Sequence, residues 1–158
     1  MDMIPVPSEE KGFMTTGVRL TARPRPDSDG KYGRLQAINL EKLNIEWTHR
    51  QRAPLTSGVL TTAGGLVFAG DVDRHIIAFD QSNGKELWRM RLNDVPSSAP
   101  ITYSADGKQY LAVTVGHGVI AIDRKAFVPE VTLPLTPAAT LWVFELPESG
   151  IAKLVPPN

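Results

Sequence analysis

The chain has 158 residues with 17 basic and 17 acidic side chains, so its formal net charge is zero and no electrostatic footprint for nucleic acid is expected. It contains no cysteine, which excludes disulfide scaffolds and thiolate metal sites. No apolar run approaches the roughly 18 residues of a membrane-spanning helix, and the N-terminal segment lacks the basic and apolar regions of a signal peptide, so none is expected in this chain.

The first predicted element is an irregular N-terminal part, residues 1–30, in which only "VRLTA" (18–22) is strand-like. A repeat follows it. The segment "LQAINLEKLNIEW" (35–47) aligns without a gap with "IIAFDQSNGKELW" (76–88), at an interval of 41 residues that brings the two terminal tryptophans together. Self-similarity at a fixed period indicates a repeat architecture.

Four strands are predicted between Trp47 and Trp88, at 56–63, 66–70, 75–80 and 85–92. They are rich in β-branched and aromatic residues and are bounded by Gly, Asp and Asn. Four antiparallel strands within about 41 residues are typical of a propeller blade. Gly84 supplies the positive φ that a tight hairpin needs, and Asn44 is predicted to take its place in the first repeat.

The chain length allows about three such blades, whereas a closed propeller usually needs at least four. We therefore predict an all-β fold: a partial β-propeller of about three four-stranded antiparallel blades with tryptophan-docking motifs, belonging to a larger propeller. "GVIAID" (118–123) and "TLWVFEL" (140–146) are rivals for the third strand of the last blade. The predicted single domain, 1–158, divides after the irregular part into the end of one blade (31–55), a full blade (56–92), a last blade (93–147) with an inserted loop (119–139), and a mobile tail (148–158).

Three stretches carry a resemblance to a known family: the docking motif from Ala78 to Trp88, "TSGVLTTAGGLVFAGDVDR" (56–74) and "SSAPITYSADGKQYLAVTVGHG" (97–118). Together they resemble the last blades of the quinoprotein alcohol and glucose dehydrogenases, which use pyrroloquinoline quinone (PQQ). "LWVFELP" (141–147) is similar to the final strand of that family.

The resemblance implies an eight-bladed propeller that holds PQQ and calcium on its axis and oxidises alcohols or aldose sugars by hydride transfer to the quinone. It also implies the remaining blades as partners, a quinone or cytochrome c as electron acceptor, and a periplasmic location, with or without association with the membrane. The catalytic Asp and the calcium ligands of the family belong to earlier blades. No catalytic and no metal-binding residue is therefore predicted in this chain, which alone should be inactive.

Two segments are expected to reach the cofactor. Gly116 and His117 stand where membrane-type glucose dehydrogenases carry Gly-Gly-His-Gly, although Val115 replaces the first glycine. Thr56 and Ser57 stand near a position where methanol dehydrogenases place a tryptophan beside the cofactor.

Other interpretations compete with these. The same docking motifs would serve a non-catalytic propeller that binds proteins, like the propeller lipoprotein of outer-membrane protein assembly. Asp71 and Asp73 are expected to be solvated loop acids, and His75 a surface or strand residue. The irregular segment 128–137 is expected to lie over the site.

Overall fold

The computed structural model describes residues 2–5, 18–21, 23–116, 127–135 and 139–146. These residues form strands that pair in four antiparallel sheets, and no helix among them could span a membrane. The strands are β1 (Asp2–Pro5), β2 (Val18–Thr21), β3 (Gly33–Asn39), β4 (Asn44–Gln51), β5 (Leu60–Thr61), β6 (Leu66–Gly70), β7 (His75–Asp80), β8 (Glu86–Arg91), β9 (Ile101–Ala105), β10 (Lys108–Val115) and β11 (Thr140–Leu146). The all-β prediction is confirmed.

The N-terminal part differs from its prediction as an irregular segment. β1 and β2 pair with each other, Asp2 opposite Thr21 and Pro5 opposite Val18. The strand-like composition at 18–22 was therefore the better guide to this region.

The middle sheet is the complete blade. Its order is β5-β6-β7-β8, with Phe68 opposite Ala78 and Ala78 opposite Trp88. The first strand is shorter than predicted, because the amides of Thr56 and Ser57 both donate to the Gly70 carbonyl, at 2.9 and 3.3 Å, ahead of β5. An irregular turn that is hydrogen-bonded to the end of β6 therefore precedes β5.

The sequence repeat is also a structural repeat. Ala37 pairs with Trp47 as Ala78 pairs with Trp88, and the register shifts directly after each alanine. One prediction fails here: the position 41 residues before Gly84 is Leu43, not Asn44, and Leu43 has a φ of 51° where Gly84 has 72°. The hairpin geometry is thus conserved between the repeats although the side chain that favours it is not.

The last sheet has the order β11-β10-β9. Leu111 lies opposite Phe144, so β11 pairs with β10 as β7 pairs with β6. "TLWVFEL" therefore takes the third-strand position, while the rival 118–123 lies outside the described residues. β3 and β4 lie within the predicted range 31–55, and β9 to β11 lie within 93–147. Among the described residues, the first of these blades has two strands, the last has three, and the middle blade has four.

Trp88 packs between two blades, as predicted. Its side chain is buried and meets the Phe144 ring edge to face, with the centroids 5.4 Å apart. The same cluster joins the middle blade to β10 of the next blade through the buried residues Phe68, Ile76, Ala78, Leu92, Leu111, Val113 and Val115. Burying such an aromatic side chain contributes on the order of 2–3 kcal/mol. The partial β-propeller is therefore held together by inter-blade cores.

Candidate functional site

Three of the predicted cofactor contacts, Thr56, Ser57 and Gly116, lie at one end of two adjacent blades. In antiparallel blades the start of the first strand and the end of the second strand share an end. Thr56 and Ser57 precede β5 and bond the end of β6, while Gly116 follows β10 directly. His117 lies outside the described residues.

The junction between these blades is tightly packed. A β-carbon added at Gly70 would lie 2.5 Å from Cβ of Pro96, and Pro96 forms a β-bridge with Val115. The Gly116 amide donates to the Val95 carbonyl at 2.9 Å, with a φ of 147° that L side chains rarely adopt. The structure therefore connects the Thr56–Ser57 turn to Gly116 through Gly70 and Pro96.

The hydroxyl of Ser57 is committed to the backbone. Its Oγ accepts a hydrogen bond from the Gly70 amide at 2.6 Å and donates one to the Gly58 carbonyl at 2.7 Å. The next blade repeats the device, since the Ser98 Oγ lies 3.3 Å from the Thr114 amide. Ser57 thus holds the turn before β5 in place, and its predicted cofactor contact stays a prediction.

Thr56 is different. Its Oγ1 is buried and has no hydrogen-bond partner among the described residues. A buried hydroxyl without a partner costs about 1–3 kcal/mol. A quinone or carboxylate oxygen is the kind of acceptor that would satisfy it, so this residue fits the chemistry of a PQQ ligand.

Asp71 is not the solvated loop acid that was expected. It is fully buried and accepts hydrogen bonds from the His75 amide (2.9 Å), Gln51 Nε2 (3.1 Å) and Arg89 Nη1 (3.2 Å). The His75 ring also lies 3.2 Å from Asp71 Oδ1 through Nδ1. Only tertiary contacts could reveal this, because the partners lie 4 to 20 residues away in sequence.

Arg89 extends this polar cluster across the blade boundary. It bonds Glu86 Oε2 at 2.7 Å and Gln51 Oε1, at the end of β4 in the preceding blade, at 3.3 Å. The hydrogen bond from Arg89 lowers the pKa of Glu86 below its usual range and raises the pKa of the guanidinium. Each charged side chain of this cluster has a partner of opposite charge, which is typical of a structural ion network. No group of three metal-ligating side chains occurs among the residues that the structure describes.

The described part of the inserted loop, residues 127–135, packs against the middle blade. Phe127, Val128 and Val131 are buried against Ala53, before β5, and Val72, between β6 and β7. These residues of the loop therefore lie against the end of the middle blade at which Thr56 is found.

Comparisons with known proteins identify a family for this chain. Residues 9–111 match the family described as PQQ: glucose/ethanol/alcohol dehydrogenase, β-propeller domain. The quinoprotein ethanol dehydrogenase of Pseudomonas aeruginosa is 40% identical over 119 residues, which are 75% of this chain and 19% of that protein. The 1-butanol dehydrogenase (quinone) of Thauera butanivorans is 41% identical over 99 residues, 63% of this chain and 16% of that protein.

Two solved structures have the same fold over most of the chain. A europium-containing methanol dehydrogenase matches with a TM-score of 0.64 and 30% identity, over 75% of this chain and 24% of that one. The quinohemoprotein alcohol dehydrogenase ADHIIG of Pseudomonas putida HK5 matches with a TM-score of 0.59 and 31% identity, over 79% and 18%. The chain thus spans about a fifth of the length of the curated relatives it matches. It belongs to the β-propeller domain family of the PQQ-dependent glucose, ethanol and alcohol dehydrogenases.

Proposed function

We propose that this chain forms blades of a PQQ-dependent dehydrogenase that oxidises alcohols, and that it contributes part of the cofactor pocket. The observation that carries the proposal is the buried Thr56 hydroxyl, which has no hydrogen-bond partner among the described residues and lies at a junction shared with Gly116, in a chain of this family. Relatives named for ethanol and 1-butanol favour an alcohol over an aldose sugar. Relatives named for a quinone and for cytochrome c support either as the electron acceptor.

Each residue has a limited role in this proposal. When bound, PQQ would supply the acceptor for the hydride of the alcohol, and calcium held by other blades would supply a Lewis acid. The Thr56 hydroxyl and the His117 imidazole would each donate a hydrogen bond to an oxygen of the cofactor. Ser57 holds the turn that carries Thr56. Gly70 packs directly against Pro96 and so fixes the position of this turn relative to Gly116.

The remaining blades are the proposed partners of the two outer sheets. The β3–β4 hairpin exposes Ile38 and Ile45 by 58% and 51%, and the last sheet exposes Ile101 and Leu141 by 58% and 62%. Propeller blades bury such surfaces against their neighbours. Because the chain spans about a fifth of its relatives' length, further blades would cover both sides. A periplasmic location is part of the same proposal.

The whole reading frame that contains this chain, reconstituted with PQQ and calcium, provides the test. Dye-linked oxidation of ethanol and 1-butanol should exceed that of glucose, and PQQ absorbance should copurify with the protein. The 158-residue chain alone should give no turnover. Correctly folded protein that binds no PQQ and oxidises no alcohol would overturn the proposal and favour a protein-binding propeller.

The His117→Ala variant tests the cofactor contact separately. It should weaken PQQ binding while leaving the far-ultraviolet circular dichroism spectrum unchanged. Gly118→Ala, one position along, is the control for a general effect on this segment. If both variants bind PQQ like the unmodified protein, the Gly116–His117 segment lies away from the cofactor.

A further inference from the structure

A cavity of about 240 Å³ lies beside the first blade and is strongly cationic. The charged side chains that line it are Arg23, Arg25, Lys31, Arg34, Arg50 and a single acid, Asp27. Among the described residues the lining therefore carries five positive charges and one negative charge. Such an excess in a chain of zero net charge is a local feature rather than a consequence of composition.

Two of these arginines face each other across a hairpin. Arg34 in β3 lies directly opposite Arg50 in β4. Like charges at directly opposed positions destabilise a strand pair. Asp27 compensates only in part, since Arg50 binds it at 2.9 Å whereas the closest Arg34 nitrogen lies 3.8 Å from the same oxygen. A second anion would relieve the repulsion that is left.

Asp27 is itself shared among several cations. Arg25 Nε lies 3.0 Å from Asp27 Oδ1, so that three guanidinium groups surround one carboxylate. The hydrogen bonds from Arg25 and Arg50 lower the pKa of Asp27, which is thus ionised at neutral pH. Arg34 Nε, by contrast, is buried and has no hydrogen-bond partner among the described residues. The guanidinium of Arg34, a residue that lines the cavity, is therefore incompletely paired.

Apart from Ser28, the uncharged side chains of the lining are aromatic rings and prolines. Tyr32, Pro54 and Phe127 line the cavity, and the Tyr32 and Phe127 rings meet edge to face with centroids 5.0 Å apart. Arg52 stacks over Tyr32 at 5.0 Å but is neutralised by Glu130, with which it makes two hydrogen bonds of 2.7 and 3.1 Å. A ligand suited to these walls has an anionic end and an apolar body.

We propose that this cavity binds a small organic carboxylate, with the carboxylate at Arg34 and Arg50 and the apolar body between Pro54 and Phe127. The volume accommodates a ligand of about the size of benzoate. Planar, bidentate recognition of a carboxylate is the task for which guanidinium groups are best suited. This site goes beyond the proposed dehydrogenase function and does not depend on PQQ.

Isothermal titration of the whole reading frame that contains the chain, without PQQ and at low ionic strength, tests the proposal with benzoate, acetate and inorganic phosphate. Benzoate should bind saturably and more tightly than acetate or phosphate. Arg34→Gln should weaken benzoate binding about tenfold, the loss expected for one charged hydrogen bond. Arg91→Gln removes one exposed positive charge outside the cavity and should change the dissociation constant less than twofold.

The Asp27→Asn substitution should change the affinity for benzoate in the opposite direction. It removes the internal carboxylate that competes for the same arginines, so benzoate should bind more tightly. Should Arg34→Gln fail to fold, Arg25→Gln, at a side chain that is 69% exposed, replaces it and should also weaken binding. No saturable benzoate binding, tighter binding of phosphate, or equal effects of the Arg34 and Arg91 substitutions would each overturn the proposal.

Discussion

The indole of Trp47 lies against the backbone of Gly84, in the hairpin turn of the next blade. A β-carbon at Gly84 would come within 2.4 Å of Trp47 Cε3. Trp47 Nε1 also donates a hydrogen bond to the Gln81 carbonyl of the same turn at 2.8 Å. The docking tryptophan thus recognises a turn by shape and by one hydrogen bond, and the absence of a side chain at Gly84 is part of the contact.

Replacement of this glycine should therefore loosen the blade junction. Gly84→Ala suffers both from a φ of 72° and from the clash with Trp47, and should lower the free energy of unfolding by about 2–4 kcal/mol. Gly107→Ala is the matched control, because its φ is 76° but nothing lies within 4 Å of the added carbon. It should cost about 1 kcal/mol. Urea denaturation measures both, and equal losses would show that the Trp47 contact contributes nothing.

Substitution of the buried Asp71 should destabilise the protein strongly. Asp71→Asn keeps the shape but turns a donor toward Gln51 or Arg89, and should cost about 3 kcal/mol at neutral pH. Asp73→Asn breaks a 3.1 Å ion pair with the exposed Arg91 and should cost less than about 1 kcal/mol. Thermal unfolding compares the two variants. A small effect at Asp71 would mean that the ion network is dispensable.

Glu86 should make stability depend on acid pH. Because Arg89 lowers its pKa in the folded protein, the contribution of Glu86 is present above the ordinary value of 4.5 and is lost as the pH falls through the lower folded value. The difference in unfolding free energy between the unmodified protein and Glu86→Gln should therefore shrink below pH 4.5. Chemical denaturation from pH 7 to 3 measures it, with Glu46→Gln, at a carboxylate bonded to the neutral Asn39 amide, as control. A difference that stays constant over this range would contradict the prediction.

Removal of the Thr56 hydroxyl and removal of the Ser57 hydroxyl should change the stability of the protein in opposite directions. Thr56→Val removes a buried hydroxyl without a described partner and should stabilise the cofactor-free protein by about 1 kcal/mol. Ser57→Ala removes the hydrogen bond to the Gly70 amide and should destabilise it by about 1 kcal/mol.

Binding of PQQ then separates positioning from contact. Thr56→Val should weaken PQQ binding about tenfold in the reconstituted protein, as expected from the loss of one hydrogen bond to a charged group. Melting temperatures and fluorescence titration with PQQ provide the two readouts. If Thr56→Val destabilises the protein as Ser57→Ala does and leaves PQQ binding unchanged, Thr56 is a structural residue only.

The architecture could be predicted because its determinants are local and repeated. An interval of 41 residues, a tryptophan at the end of each unit and turn residues between short apolar runs are sufficient to indicate propeller blades. Where local signals were weak, the predictions were incomplete. Leu43 adopts a positive φ although leucine does not favour it, in the turn that joins the paired strands β3 and β4.

The sequence by itself determined the blades, their repeat and the family resemblance, since these depend on the order of apolar and turn residues along the chain. Only the tertiary structure decided that β11 is the third strand of the last blade and that Asp71 is buried. The tertiary structure also placed Arg34 opposite Arg50 and left the Thr56 hydroxyl without a hydrogen-bond partner among the described residues. Burial and charge pairing depend on residues far apart in sequence, and the docking of one blade on another brings those residues together.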